Sequence, residues 1–222
     1  MKLVIVGGVA GGASAAARAR RISETAEIIV FERDSFISFA NCGLPYHIGG
    51  EIQDRSALLV QTPESMKARF KLDIRINCDV IGIDSAAQTV RVRELDGGRE
   101  YNERYDELVL SPGARPIVPA ISGVDLSAVF TLRNIPDMDR IIRKINIDAP
   151  RSAVVVGGGY IGIEMAEALI HRGIETTLVE MSNQLMPPID PEMAVPLHQE
   201  MRRHGVRLQL NDALQEIAEV DC

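Results

Sequence analysis

The sequence predicts an α/β protein made of two parallel-sheet units in tandem, the first carrying an antiparallel β insertion. Three observations predict it. KLVIVGG (2–8), VAGGASAAARARRIS (9–23) and EIIVFE (27–32) read as apolar strand, small-residue helix and second strand, the unit of a parallel sheet. The same pattern returns as RSAVVVGGG (151–159), YIGIEMAEALIHRG (160–173) and IETTLVE (174–180), an internal duplication. Between the copies, DIRINCDVIGID (73–84), TVRVREL (89–95) and REYNERYDELVL (99–110) alternate as antiparallel strands, with a DGG turn at 96–98.

The Pro-rich stretch SPGARPIVPAISG (111–123) closes the first unit. Pro112, Pro116, Pro119 and Pro150 bracket a linker and the helical DMDRIIRKI (137–145). The expected organisation is therefore a first domain over 1–113, a linker and connecting helix over 114–150, and a second, incomplete domain over 151–222. An apolar share of 46% suffices for packed cores, and a net charge of −7 argues against nucleic acid or an anionic membrane as the main partner. The chain shows no run of about 18 apolar residues and no leader with a cleavage site, so a cytoplasmic location is expected. Cysteines 42, 78 and 222 form neither a zinc nor a CxxC spacing, and their number is odd, which excludes a disulfide framework. Histidines 47, 171, 198 and 204 show no metal spacing; no metal site is expected.

The two glycine loops carry the first functional signal. Gly157, Gly159 and Gly162 match G-x-G-x-x-G between a Val-rich strand and a helix, and Glu180 ends the next strand. The glycines permit a tight turn, close approach of a pyrophosphate to backbone amides, and close helix-to-strand packing, while the helix N-terminus favours the phosphates. Glu180 would accept hydrogen bonds from a ribose diol and repel a 2′-phosphate, which favours NAD(H) over NADP(H). The first loop, Gly7, Gly8, Val9, Ala10, Gly11 and Gly12, has the outer glycines but Val9 at the middle position; Glu32 supplies the acid after it. Two dinucleotide loops imply two dinucleotides, most simply FAD in the first Rossmann-like domain and NAD(H) in the second.

The motifs IVGGVAGGASAAARARR (5–21), SFANCGLPY (38–46), QTPE (61–64), YDELVLSPGA (105–114) and VVVGGGYIGIEMAE (154–167) resemble the N-terminal part of the flavin-dependent pyridine nucleotide-disulfide oxidoreductases. Within that group they resemble coenzyme A disulfide reductases and NADH-dependent persulfide reductases. SFANC is the most discriminating of these motifs. The resemblance implies that Cys42 is the catalytic cysteine, attacking a sulfur of the substrate. The nearest other cysteine is 36 positions away, so a single cysteine would form a mixed disulfide with the substrate. Cys78, in an alternating strand, and Cys222 are read as structural.

Ser14, Arg18 and Arg21 fall on one face of the first helix, where two guanidinium groups can grip phosphates. The resemblance assigns these positions, with Ser38, Asn41 and Lys71, to coenzyme A as substrate or bound ligand. It also implies cofactor contacts at Arg33, Val80, Ser111, Pro112 and Gly113 for the flavin, and at Gly158, Tyr160, Ile161 and Glu164 for the nicotinamide nucleotide. Ser111–Gly113 also reads as an ordinary turn, and Glu164 as an exposed helix carboxylate. Family peroxidases and some oxidases carry a histidine where this chain has Ala10, which lowers a peroxidase reading and leaves NADH oxidase activity as an alternative.

The resemblance further implies a homodimer for the full family fold. The chain ends inside the second domain, so the C-terminal part of that fold, with its second flavin segment and dimerisation domain, is expected to be missing. A non-catalytic nucleotide-binding fragment is the second class of reading.

Overall fold

The computed structural model describes residues 1–219; Cys222 lies outside the described residues. In chain order the elements are β1 (Lys2–Val6), α1 (Ala10–Ile22), β2 (Glu27–Phe31), α2 (Leu44–Gly49), α3 (Pro63–Phe70), β3 (Asp73–Arg75), β4 (Cys78–Asp84), β5 (Thr89–Glu94), β6 (Glu100–Arg104), β7 (Glu107–Leu110), α4 (Ile135–Asp148), β8 (Ser152–Val156), α5 (Tyr160–His171), β9 (Glu175–Glu180), α6 (Pro191–Arg203) and β10 (Arg207–Leu210). They form two compact units, one from 1–40 and 56–114, the other from 41–55 and the described residues from 115 onward.

The first unit holds a four-stranded parallel sheet, order β3-β2-β1-β7. Its central strands are apolar on both faces because both faces are covered. Leu3, Ile5, Ile28 and Val30 point to one side, into a core with Ala13 and Ala16 of α1, Met66 of α3 and Leu72. Val4, Ile29 and Phe31 point to the other, against Cys78, Val90 and Val92 of the antiparallel layer β4-β5-β6. The turn at 96–98 closes β5 onto β6, with Gly98 at φ +68° donating its amide to Glu94 O at 2.8 Å.

Two of the alternating stretches prove to be divided between sheets. Residues 73–84 break at Asn77 (φ +53°): β3 pairs in parallel with β2, whereas β4 turns into the antiparallel layer after the Cys78 amide donates to Glu32 O at 2.9 Å. Residues 99–110 divide likewise, β6 pairing with β5 and β7 in parallel with β1. Alternation reports a half-buried strand but says nothing about its partner.

The second unit repeats the parallel core with the order β10-β9-β8. Ala166, Leu178, Leu185, Met201 and Val206 fill the space between sheet and helices α5 and α6. The segment 41–55 belongs here, not with the 1–113 stretch in which the sequence reading placed it. Its helix α2 lies so close to α5 that a Cβ on Gly49 would stand 3.1 Å from Ala168 Cα. Arg55 holds the same segment to α4 through a two-pronged pair with Asp139, at 2.9 and 2.8 Å. α4 itself packs against α2, so the expected linker helix is part of this unit. Among the described residues no helix is long and apolar enough to cross a membrane, and no group of three or more His, Cys, Asp or Glu is placed to hold a metal ion.

Candidate functional site

Each glycine loop is the direct continuation of a first strand, and the two are built alike. In the first, the Gly7 amide donates to Phe31 O at 2.7 Å, so the turn begins while the chain is still paired with β2. Gly7 sits at φ +97°, and a Cβ there would meet Ser111 O at 2.0 Å. A Cβ on Gly12 would stand 1.7 Å from Gly7 O, so only glycine lets α1 start this close to the strand. The Gly8 amide donates to Glu32 Oε2 at 2.7 Å, and the Asp34 amide to Glu32 Oε1 at 2.9 Å. Glu32 is buried; the carboxylate closes the loop from beneath.

The second loop repeats these bonds. The Gly157 amide donates to Val179 O at 2.8 Å, Gly157 has φ +106°, and a Cβ on Gly162 would stand 1.9 Å from Gly157 O. The Gly158 amide donates to Glu180 Oε2 at 2.6 Å and the Ser182 amide to Oε1 at 2.7 Å. Burial pushes the Glu180 carboxyl upward, yet the amides of Ser182, Gly158 and Met181 and the Ser182 hydroxyl outweigh it and hold the group below the usual carboxylate range. At Gly159, as at Gly157, nothing lies within 4 Å of the would-be Cβ, but Gly159 has φ −81° and so is not held to glycine by its backbone either. The opening there suits the close approach of a ligand rather than packing.

These loops fit dinucleotides by their donor sets. Neither α1 nor α5 has a side-chain N-cap, so first-turn amides remain for phosphate oxygens. Each oxygen of Glu32 accepts one amide and keeps acceptor capacity for a ribose hydroxyl. Ser111 is brought to the first loop, donating its amide to Val6 O at 2.8 Å and presenting Oγ 3.1 Å from the would-be Cβ of Gly11. Pro112 and Gly113 (φ +69°) follow it on the surface. Arg33 is exposed beside Glu32, and Val80 packs half-buried against the Phe31 cluster in β4. Tyr160 and Ile161 stand exposed at the start of α5.

Cys42 is exposed and unbridged, in a short 3-10 turn, Asn41–Gly43, that leads into α2. Buried Leu44, Pro45 and Ile48 anchor the turn from the C-terminal side. Cys78 is the opposite case: it is buried, and desolvation pushes its thiol up. Tyr46 was not singled out by sequence reasoning, although it lies four residues after Cys42. Its hydroxyl is held above the ordinary phenol value first by the Glu164 carboxylate, then by burial, and in smaller part by Glu167, Glu51 and Cys42. Glu164 is itself raised, by burial and then by Glu167. Cys42, Tyr46 and Glu164 thus share one electrostatic neighbourhood within the second unit.

The first unit also holds an open cleft of about 260 Å³, lined among others by Val9, Ala10, Ser14, Ser38, Gln61 and Arg69. Ser38 is fixed there at φ +43°, its amide donating to Gly8 O at 3.0 Å. Ser14 and Ser38 thus line one cleft. Arg18 and Arg21 are exposed on the same helix face as Ser14 but do not line the cleft, nor does Lys71, the exposed left-handed residue (φ +50°) ending α3. Asn41 lies in the second unit. Gln61 entered the sequence analysis only as part of the QTPE motif, and Arg69 was missed because helix α3 has no glycine loop or cysteine to mark it. The histidines make local bonds: His47 Nδ1 to Ile52 O at 2.6 Å, His171 to Glu51 and His204 to Glu200, each at 2.9 Å, while His198 Nε2 accepts from the Leu185 amide.

The chain is similar to several known proteins. A coenzyme A disulfide reductase of Staphylococcus aureus (strain JH9) is 37% identical over 216 residues, 97% of this chain and 49% of the relative, so the chain spans about half the length of that protein. The crystal structure of reduced Bacillus anthracis CoADR-RHD superposes with a TM-score of 0.95 at 55% identity, covering 98% of this chain and 39% of the other. The NAD-dependent persulfide reductase of A. fulgidus gives 0.94 at 33% identity, covering 98% and 41%. The profile of the pyridine nucleotide-disulphide oxidoreductases matches residues 1–222, and the chain belongs to that family.

Proposed function

We propose that this chain supplies the FAD-binding and NAD(H)-binding units and the nucleophilic Cys42 of a reductase for coenzyme A disulfide or persulfide. The observation that carries the reading is the single exposed cysteine in the SFANC turn, with the other described cysteine buried. The two glutamate-closed glycine loops support it, the first as the FAD site and the second as the NAD(H) site. Bound FAD would take a hydride from NADH and supply the two electrons that the sulfur chemistry consumes.

The residues of the chain do the rest. The Cys42 thiolate attacks one sulfur of the substrate disulfide; the S–S bond breaks, one coenzyme A thiolate leaves, and a mixed disulfide joins Cys42 to the other half. Two electrons and a proton then release the second thiol and restore Cys42. The Glu164 carboxylate holds the Tyr46 hydroxyl in its protonated form, so that the phenol remains a hydrogen-bond donor four residues from Cys42. Glu180 carries a stable negative charge at the ribose end of the second loop, which favours NADH over NADPH.

Steady-state NADH oxidation with coenzyme A disulfide, coenzyme A persulfide and oxygen as acceptors tests the reading. Cys42→Ser is expected to abolish both sulfur activities and spare oxygen reduction. A Cys42→Ser protein that reduces the disulfide as fast as the parent overturns the role given to this cysteine.

A further inference from the structure

Arg20 and Arg69 have no part in the reading above; Arg20 bonds to the backbone of the two residues that follow Arg69. The Arg20 guanidinium donates to four backbone carbonyls: Nε to Phe70 O at 2.8 Å, Nη2 to Lys71 O at 3.0 Å, and Nη1 to Ser23 O at 3.1 Å and Glu24 O at 2.9 Å. Ser23 and Glu24 follow α1, and Phe70 and Lys71 end α3. One rigid planar group therefore locks the end of α3 to the end of α1. The locked stretch carries a charge conflict. The Arg69 guanidinium lies over the Phe70 ring, 5.2 Å from its centroid, and that of Arg21 lies 6.0 Å from the same centroid.

A single aromatic ring thus bears two cations. Among the described residues neither has a carboxylate partner, whereas Lys2, Arg55, Arg75, Arg93 and Arg140 each have one. Both guanidinium groups are exposed, so an anion docking here meets two cations with no carboxylate already bound to them. Stacking on the ring leaves the N–H edge of Arg69 free to donate, and Arg69 lines the cleft together with Ser14 and Ser38.

We propose that Arg69 is a further substrate-binding residue, a guanidinium that grips a phosphate of a nucleotide-bearing thiol in this cleft, and that Arg20 is the positioning residue that fixes it. The inference rests on the coenzyme A reading above and deepens it. Arg69 recognises the phosphorylated end of the substrate. Arg20 touches no substrate, and acts by holding the carbonyls on either side of the Phe70–Lys71 bond.

The test is equilibrium binding of coenzyme A and of pantetheine, which lacks the nucleotide, to the protein and its variants by calorimetry at two salt concentrations. Arg69→Gln is expected to weaken coenzyme A about tenfold, as for one charge-assisted bond, to flatten the salt dependence, and to leave pantetheine unchanged. Arg69 is exposed, so this variant is expected to fold. Arg20→Lys keeps the charge but cannot span four acceptors; it is expected to weaken coenzyme A several-fold on its own and to cause no further loss in the Arg69→Gln background. Should Arg20→Lys fail to fold, Arg69→Lys replaces it, with a loss between those of parent and Arg69→Gln. Unchanged affinity in Arg69→Gln means that the residue only complements the helix end and overturns the proposal; strictly additive losses overturn the positioning role. A parent protein that binds no coenzyme A overturns the underlying functional reading together with this one, whereas a binding parent with indifferent variants overturns this one alone.

Discussion

Glu32 accepts a hydrogen bond from the Gly8 amide at 2.7 Å, and the same carboxylate takes the Asp34 amide two residues beyond itself. Glu180 does the same with Gly158 and Ser182. An acid at the end of the second strand thus has a structural task of its own. It satisfies an amide that the tight turn leaves without a backbone partner, and so shapes the loop before any ligand arrives.

Removing either carboxylate is therefore expected to cost stability as well as nucleotide affinity. Glu32 is buried, so Glu32→Ala leaves two amide donors unsatisfied and is expected to lower unfolding free energy by about 2 kcal/mol. Glu180 is more open to water, and Glu180→Ala is expected to cost less, about 1 kcal/mol. Urea unfolding of both variants without added nucleotide checks this. Equal stability of Glu32→Ala and the parent would show that the acid serves the ligand alone.

The glycines separate into two kinds. A Cβ on Gly12 or Gly162 would enter the carbonyl of the loop's first glycine, at 1.7 and 1.9 Å, while a Cβ on Gly159 would meet nothing within 4 Å. Gly12→Ala and Gly162→Ala are expected to destabilise by roughly 3 kcal/mol or more, since backbone rather than a side chain must move. Gly159→Ala is expected to stay within about 0.5 kcal/mol of the parent, and on the NAD(H) reading proposed for this loop it is expected to weaken NADH binding. Thermal unfolding and NADH titration of the three variants decide between the two roles.

Much of this was legible in the sequence because it depends on local pattern. KLVIVGG and AVVVGGG declare a strand running into a tight turn, and the duplication of that pattern declares two units. The position of Val9 in place of a middle glycine is explained by Gly159: this position is open in the second loop, so the fold does not require glycine there. What the sequence hid depends on partners remote in the chain. Strand pairing sent 73–75 and 107–110 to the parallel sheet, and packing of Gly49 on Ala168 drew the Cys42 turn to the second unit. The Tyr46–Glu164 coupling and the Arg20 clamp join residues about 120 and 50 positions apart, and no spacing rule announces either.

The cysteines make a chemical prediction. Cys42 is exposed, while Cys78 is packed with Val4, Phe31 and Val92 and has its thiol pushed up by burial. Alkylation of the native protein followed by peptide mapping is expected to modify Cys42 readily and Cys78 at least ~100-fold more slowly, since reaction there requires opening of the core. In denaturant the two should react at similar rates. Rapid native labelling of Cys78 would contradict its place in the core.

The last prediction concerns pH. His198 Nε2 accepts the Leu185 amide at 2.9 Å, which only the neutral ring can do, and burial followed by the Arg202 charge holds its pKa below 6.5. The folded state thus binds the proton more weakly than the unfolded chain. This contribution to stability is fully present above the unfolded value of 6.5 and is lost as pH falls through the lower folded value. His198→Gln removes the titration while keeping a polar side chain. At pH 8 the parent is expected to exceed this variant by about 1 kcal/mol, and the difference should shrink and vanish as pH falls below 6.5. Chemical unfolding of both proteins at pH 8, 6 and 5 measures it. A difference that stays constant across that range would mean that the His198 ring does not accept the Leu185 amide, and the loop at 182–189 would then owe its position to Leu185 packing under Gly158.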